Sequence, residues 1–157
     1  EIGQRNKQLH NGCSSLKHGV HFDNTNQETD MENQSNIAEY LRTNRIVHLA
    51  TVTDKGGASV RAMYMADISD DLIVTFGTAT NSTKVAEIRA NKKVSLSSFE
   101  KGTSFRAFGE AEIIEDQQLK NQLWEDDWTH YFPGGPTDPN FTLIRIHIKQ
   151  AEFTPMG

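Results

Sequence analysis

The sequence predicts a mainly β, α+β domain built on an antiparallel barrel, and three observations support this prediction. Short runs of β-branched and aromatic residues recur about six times, separated by turns rich in glycine and aspartate. Helical apolar spacing appears at only three points between these runs. The runs do not alternate regularly with helices, as a parallel sheet would require, and no repeat period appears. A length of 157 residues suits one domain with a real core.

Each predicted element follows from local pattern and turn chemistry. The strands are expected at 46–53, 58–66, 72–77, 94–99, 104–115 and 141–149. Gly56 and Gly57 close the first two into a hairpin, and Gly109 predicts a bulge in the fifth. Helices are expected from Asn33, from the Ser82–Thr83 region to Asn91, and from the Asp116 cap to about Asp127.

Residues 1–32 differ from the remainder in composition. They are rich in Asn, Gln, His and Ser without apolar periodicity, which predicts a flexible N-terminal tail before a domain at 33–157. The sequence opens on Glu1, and Met31 precedes the first regular segment. We therefore expect Met31 to be the natural start and residues 1–30 to be upstream or expression-derived sequence.

Charge and cysteine usage exclude several classes of function. A formal net charge of −5 argues against general nucleic-acid binding. The single cysteine, Cys13, allows no internal disulfide, so we expect a reducing, cytoplasmic location. No apolar run approaches the roughly 20 residues of a membrane span, and no secretory signal pattern opens the chain. We expect neither a nucleic-acid nor a membrane partner.

Familiar catalytic motifs are absent from the sequence. It holds no nucleophile elbow, no zinc-protease motif, no Walker loop and no dinucleotide fingerprint. His48, His130 and His147 have no neighbours at metal-ligand spacing, so we expect packed or solvated histidines and no metal site. An anion site remains the leading candidate.

That candidate site lies in the stretch from Leu72 to Asn91. A strand leads into a hydroxyl-rich loop, and the loop opens a helix that carries Lys84. Free N–H groups and the positive end of a helix favour an anion such as phosphate. The alternative is that Ser82 or Thr83 simply caps the helix. Pattern alone does not separate the two.

Arg61 is the second basic residue of interest. It alternates with Met63 and Met65 on a predicted strand, so all three are expected to face inward. A half-buried guanidinium needs an anionic partner. That partner is either a carboxylate of the protein or a ligand phosphate shared with Lys84.

The order of these motifs resembles a known family. Arg61-Ala62-Met63 on one strand, Phe76-Gly77-Thr78 on the next, and Ser82-Thr83-Lys84-Val85 opening a helix resemble the flavin-binding split-barrel family that includes pyridoxamine 5′-phosphate oxidase. The run from Tyr131 to Pro139, YFPGGPTDP, resembles its general stress protein branch. The resemblance covers about residues 37–153 and implies a six-stranded antiparallel split β-barrel with a few flanking helices.

The resemblance also implies an FMN-binding homodimer with the flavin at the subunit interface. It would assign the phosphate to Arg61 and Lys84, assisted by the Ser82 and Thr83 hydroxyls. The other implied cofactor-binding residues are Ala62, Met63, Tyr64, Gly77, Thr78 and Ser104. Aromatic cover for the ring would come from Trp124, Trp128 or Tyr131, although aromatics near a helix end are often core residues.

Two departures narrow the implied activity. The oxidases carry a second basic residue where this chain has Thr83, and a longer C-terminal segment with substrate-binding residues. We therefore expect an FMN-dependent oxidoreductase of general stress protein type rather than a true pyridoxamine 5′-phosphate oxidase. The alternatives are a flavin-binding sensor or storage module without turnover, and a split barrel that binds haem or a deazaflavin.

Overall fold

The computed structural model describes residues 18–21 and 27–156, and this part of the chain is a sheet with flanking helices. Its elements are β1 His18–His21, α1 Gln27–Thr43, β2 Ile46–Val52, β3 Ala58–Tyr64, β4 Asp67–Ile68, β5 Ile73–Ala79, α2 Thr83–Ala90, β6 Lys93–Glu100, β7 Thr103–Ile114, α3 Gln117–Leu123 and β8 Phe141–Thr154. Two 3-10 turns, Asp126–His130 and Gly135–Thr137, lie between α3 and β8. The six long strands are the six that the sequence predicts.

All strands belong to one antiparallel sheet in the order β3-β2-β6-β7-β8-β5-β4, and β1 pairs with β8. The sheet is curled: β3 at one end of the strand order contacts β5 near the other end, although the two strands do not pair. This half-closed arrangement confirms the predicted mainly β split barrel. Its opening between β3 and β5 positions the candidate site.

The main core fills the concave face of the curled sheet. Along β2 the side chains alternate, so Val47, Leu49 and Thr51 are buried while Ile46 and His48 are exposed. The main cluster also contains residues of α1 and α2: Ile37, Ala38, Leu41, Val85 and Ile88. Among the helices of the described residues, none is both long and apolar enough to cross a membrane.

β8 carries core residues on both of its faces, because successive side chains along a strand point to opposite sides of the sheet. Ile144 and Ile146 join the main core, whereas Phe141 and Leu143 join a second cluster with Phe132. The second cluster also includes the partly buried Trp124, Trp128, Leu119 and Leu123, which anchor the segment between α3 and β8.

The N-terminal boundary differs from the sequence expectation. α1 begins at Gln27 rather than Asn33, and His18–His21 pairs with the end of β8. The flexible N-terminal tail stays a prediction. The first turns of α1 contain good helix formers but no apolar period, which is why the pattern misses them. Residues 1–17 and 22–26, and the expectation that Met31 is the natural start, lie outside what the structure describes or tests.

The predicted bulge at Gly109 is confirmed. The pairing register between β7 and β8 shifts between Phe108 and Gly109. A Cβ at residue 109 would collide with the backbone oxygen of His147, so only glycine permits this close approach of two strands.

Candidate functional site

A cleft of about 540 Å³ opens at the split of the barrel, between the ends of β3 and β5. Its lining residues are Ala62, Met63, Tyr64, Gly77, Thr78, Ala79, Trp128, Tyr131, Phe132 and Asn140. Mostly apolar walls with a few polar groups, at this volume, are typical of a small-molecule site.

The cleft lies between two strand edges that no neighbouring strand covers. Within the described residues β3 pairs with β2 alone, and Gly77–Ala79 of β5 pair only with Phe141–Leu143 of β8. Exposed strand edges present backbone N–H and C=O groups that seek partners. A planar polar ligand placed in the split could therefore bond to main chain on both sides.

Trp128 forms an aromatic wall of the cleft through a close approach to Gly77. A Cβ at residue 77 would lie 2.8 Å from Trp128 Cζ3 and 3.0 Å from Phe141 Cε2. Glycine is thus required for the indole to lie against β5. Trp128 also packs on Phe141 with ring centroids 5.7 Å apart, which fixes its orientation.

The other two aromatics proposed from sequence have different surroundings. Tyr131 lines the cleft and is 78% exposed, so its ring is available to a ligand or a partner. Trp124 is not among the lining residues and packs edge-on against Phe141, with centroids 5.2 Å apart. Trp124 is a core residue, and Trp128 and Tyr131 form the aromatic side of the cleft.

Two buried hydroxyls at the entry to α2 have no partner. Ser82 is the N-cap residue, yet within the described residues its Oγ makes no hydrogen bond, and neither does Thr80 Oγ1. A buried hydroxyl without a partner costs about 1–3 kcal/mol. In the first turn of α2, the N–H groups of Val85 and Ala86 donate to the carbonyl of Ser82, so those of Thr83 and Lys84 are the ones left without an acceptor inside the helix. The same turn carries no acidic residue. These groups fit a bound anion.

Lys84 joins this helix terminus to the cleft. Its Nζ donates to Oγ1 of Thr78, a cleft residue, over 3.0 Å. Burial is the largest cause that lowers the pKa of Lys84 below its ordinary value, and repulsion from Arg61 lowers this pKa further. The charge of Glu87 acts in the opposite direction. Two neighbouring cations with one carboxylate leave an excess positive charge that attracts an anion.

Arg61 has a partner inside the protein. Its Nη2 donates to Glu87 Oε2 over 3.2 Å and to Ser59 Oγ over 2.7 Å, and its Nη1 donates to Thr51 Oγ1 over 2.6 Å. Of the two partners that the sequence leaves open, the structure shows the protein carboxylate. In this arrangement Arg61 is held by groups of the protein and acts on Lys84 through its charge.

The structure brings together most of the residues predicted from sequence. Ala62, Met63, Tyr64, Gly77 and Thr78 line the cleft. Ser82, Thr83 and Lys84 occupy the start of α2, and Arg61 pairs with Glu87 of the same helix. Ser104 is exposed on β7, paired with Phe99, and does not line this cleft.

Sequence reasoning missed several residues of the site, among them Asn140, Thr80 and Glu87. Asn140 lines the cleft, and its Oδ1 accepts from the backbone N–H of Asn81 over 3.2 Å. Thr80 supplies the second unpaired hydroxyl, and Glu87 pairs with Arg61. The spacing of Lys84 and Glu87, three residues apart on one helix, is the only signal that could have drawn attention to Glu87.

Comparison with solved structures identifies proteins of the same fold. A protein from Clostridium acetobutylicum related to general stress protein 26 of B. subtilis superposes with a TM-score of 0.69 at 22% identity, over 79% of this chain and 89% of that chain. The general stress FMN/FAD binding protein of Xanthomonas citri gives 0.68 at 23% identity, over 80% and 92%. A pyridoxamine 5′-phosphate oxidase-related, FMN binding protein of Nostoc punctiforme gives 0.62 at 18% identity, over 82% and 83%.

Sequence comparison identifies the family. A search of curated proteins finds no significant match. The family model described as pyridoxamine 5′-phosphate oxidase matches residues 34–155, which include every strand from β2 to β8. The chain therefore belongs to the pyridoxamine 5′-phosphate oxidase family.

Proposed function

We propose that this protein binds FMN in the cleft and acts as an FMN-dependent oxidoreductase of general stress protein type. The observation that most supports this proposal is the pair of buried hydroxyls without a hydrogen-bond partner, on Thr80 and Ser82, at the start of α2 near Lys84. The family supports this proposal, as do the similar proteins of Xanthomonas citri and Nostoc punctiforme, which are described as FMN/FAD binding and FMN binding.

The residues divide into a phosphate end and a ring end. Lys84, the two hydroxyls and the N–H groups of the first turn of α2 would hold the phosphate. Trp128 and Tyr131 would cover one side of the ring, and the exposed edge of β3 would bond to its polar rim. FMN supplies the electron and hydride chemistry, so the protein needs only to bind, orient and exclude water.

We further propose a homodimer with the cofactor at the interface. Five large apolar side chains are exposed on β2, β3, β6 and β7: Ile46, Val60, Tyr64, Phe99 and Phe108. Strand pairing places Tyr64 opposite Ile46 and Phe99 opposite Ser104, so this outer face contains both a cleft residue and Ser104. An apolar face of this kind is typical of a protein interface, and it would explain a role for Ser104 at the partner's cofactor.

The absorption spectrum of the purified protein tests FMN binding directly. We expect flavin bands in the protein as isolated or after addition of FMN and removal of excess. A protein that stays colourless and takes up no FMN contradicts the proposal, and haem or deazaflavin bands would indicate the alternative ligands. Turnover with a nicotinamide donor would separate an enzyme from a sensor or storage module.

We expect this activity in the cytoplasm, because a single cysteine provides no internal disulfide.

A further inference from the structure

Glu87 is an acidic residue that interacts with both cations of the proposed phosphate site, Arg61 and Lys84. Its side chain is only 9% exposed, and its Oε2 accepts from both Arg61 Nη2 and Thr51 Oγ1. Thr51 is itself buried and accepts from Arg61 Nη1, so the three side chains form a closed triangle. This carboxylate is therefore held at the cationic site by specific contacts.

Four acceptors of the protein, two of them in this triangle, occupy most of the hydrogen-bonding capacity of Arg61. Nη1 donates to Thr51 Oγ1 and, at 3.4 Å, to the carbonyl of Leu49, while Nη2 donates to Ser59 and Glu87. A guanidinium grips a phosphate through a pair of parallel N–H groups. Arg61 can offer such a pair only if an internal acceptor is released.

Glu87 also acts on Lys84 through its charge. It lies three residues after Lys84 on α2, and it opposes the lowering of the Lys84 pKa by burial and by Arg61. Arg61, Lys84 and Glu87 together carry a single excess positive charge. An incoming phosphate must therefore compete with a resident carboxylate for the same two cations.

We propose that Glu87 is a specificity-determining residue that limits the affinity of the site for phosphorylated ligands by competing with them for Arg61. The inference rests on the proposed function and refines it, since the ligand class is a phosphate monoester at the start of α2. Loss of the Glu87 charge should strengthen binding of the phosphate group and leave binding of a phosphate-free ring unchanged.

The test compares FMN with riboflavin in the wild type, in Glu87→Gln and in the control Glu39→Gln. Glutamine is close in shape to glutamate and keeps an acceptor for Arg61 and Thr51, and Glu39 is an exposed residue of α1 whose loss changes net charge equally. Flavin fluorescence should show FMN binding about tenfold tighter in Glu87→Gln. Riboflavin affinity should be unchanged, and Glu39→Gln should behave as the wild type.

Several outcomes would overturn the inference. FMN affinity that is unchanged or weaker in Glu87→Gln would show that Glu87 is inert or positions Arg61 for binding. An equal gain for riboflavin would show that the effect does not act on the phosphate. If Glu87→Gln does not fold, Glu87→Asp withdraws the carboxylate from Arg61, and FMN binding no tighter than in the wild type contradicts the inference.

Inorganic phosphate separates this inference from the proposed function. We expect phosphate to raise the melting temperature of Glu87→Gln more than that of the wild type. If neither flavin binds but this difference persists, FMN binding is wrong and the role of Glu87 stands. If FMN binds and phosphate stabilises both proteins equally, the role of Glu87 is wrong and FMN binding stands.

Discussion

Arg61 and Lys84 carry the same charge but have different surroundings. Arg61 is bonded to Thr51, Ser59 and Glu87, whereas Lys84 has a neutral partner, Thr78, next to two unpaired hydroxyls. A cation that gives up a hydrogen bond to a neutral group in order to bind a ligand loses little interaction energy. We therefore propose that Lys84 is the main phosphate ligand and that Arg61 contributes largely through the fold and the local charge.

Removal of these two side chains should have different consequences. Lys84→Ala should weaken FMN binding by about 1.5–3 kcal/mol, the scale of a charge-assisted hydrogen bond, with little change in stability. Arg61→Ala should lower the free energy of unfolding by about 1–3 kcal/mol, because Glu87 is left buried without its cation. FMN titration and urea denaturation of both variants check this, and a larger loss of stability in Lys84→Ala would contradict it.

Gly77 tests the aromatic wall. Gly77→Ala should displace the Trp128 ring, since the new Cβ would lie 2.8 Å from Cζ3, and overpacking costs about 1–3 kcal/mol. Tryptophan fluorescence and urea denaturation report the displacement and its cost. Gly57→Ala is the control, because its nearest contact is the single side-chain oxygen of Thr53 at 3.3 Å. Equal behaviour of the two variants would show that the indole does not depend on Gly77.

At the scale of elements, two helix caps of the same protein allow a matched comparison. Asp116 Oδ1 accepts from the backbone N–H of Leu119 over 2.7 Å, so it caps α3 in the usual way. Ser82 occupies the same position before α2 without making such a bond in the described structure. The simple capping role that the sequence allowed for Ser82 is therefore absent.

This difference predicts opposite profiles for two alanine variants. Asp116→Ala should cost about 1 kcal/mol of stability and leave FMN binding intact. Ser82→Ala should raise the stability of the ligand-free protein by about 1 kcal/mol, because it removes an unpaired buried hydroxyl. It should also weaken FMN binding by about 1 kcal/mol, the net value of one hydrogen bond. Thermal unfolding measures the stability of both variants, and FMN titration measures their affinity. A loss of stability in Ser82→Ala without an effect on FMN binding would favour the simple capping role.

The packing of α3 predicts a response to acid. The buried Lys120 donates to Glu115 over 2.7 Å, and this bond, assisted by Thr142, lowers the pKa of the Glu115 carboxyl below its ordinary 4.5. A depressed folded-state pKa contributes stability above about pH 4.5, and this contribution is lost as the pH falls through the folded pKa. Urea denaturation of Glu115→Gln should thus show lower stability at pH 7 and a weaker dependence on pH below 4.5. A pH dependence equal to that of the wild type would rule out this role.

At the scale of the whole molecule, much of the fold was accessible from sequence. Turn glycines and runs of β-branched and aromatic residues predicted the β2–β3 hairpin and the six long strands, because strand propensity and turn chemistry are local in sequence. The end of β8 was missed, since Gln150 and Glu152 interrupt the apolar pattern while pairing with β7 continues. β1 was also missed, because it is a strand only through its pairing with β8, and no local sequence pattern records such pairing.

Most of the residues that line the cleft and begin α2 could be named from sequence, but their connections could not. At the hydroxyl-rich loop before α2, the pattern left a phosphate site and a simple helix cap open, because both use the same local chemistry. The Arg61–Glu87 pair joins residues on a strand and a distant helix, and Ser104 lies on an outer face that only the curled sheet defines. Long-range partners of this kind depend on the fold.

The exposed apolar face predicts the state of assembly. Phe99 is 71% exposed on that face, so Phe99→Asp should dissociate the proposed dimer without unfolding the monomer. Sedimentation velocity measures the change, with Glu39→Gln as a surface control outside the face. A wild-type protein that sediments as a monomer while binding FMN would contradict the interface site.

The central claim is that the start of α2 holds the phosphate of a bound flavin. The most direct measurement is the affinity for FMN and for riboflavin in the wild type and in Lys84→Ala. We predict that the wild type binds FMN at least about tenfold more tightly than riboflavin, and that Lys84→Ala loses most of this preference. Equal affinity for the two flavins in the wild type, or a preference that survives in Lys84→Ala, would contradict the claim.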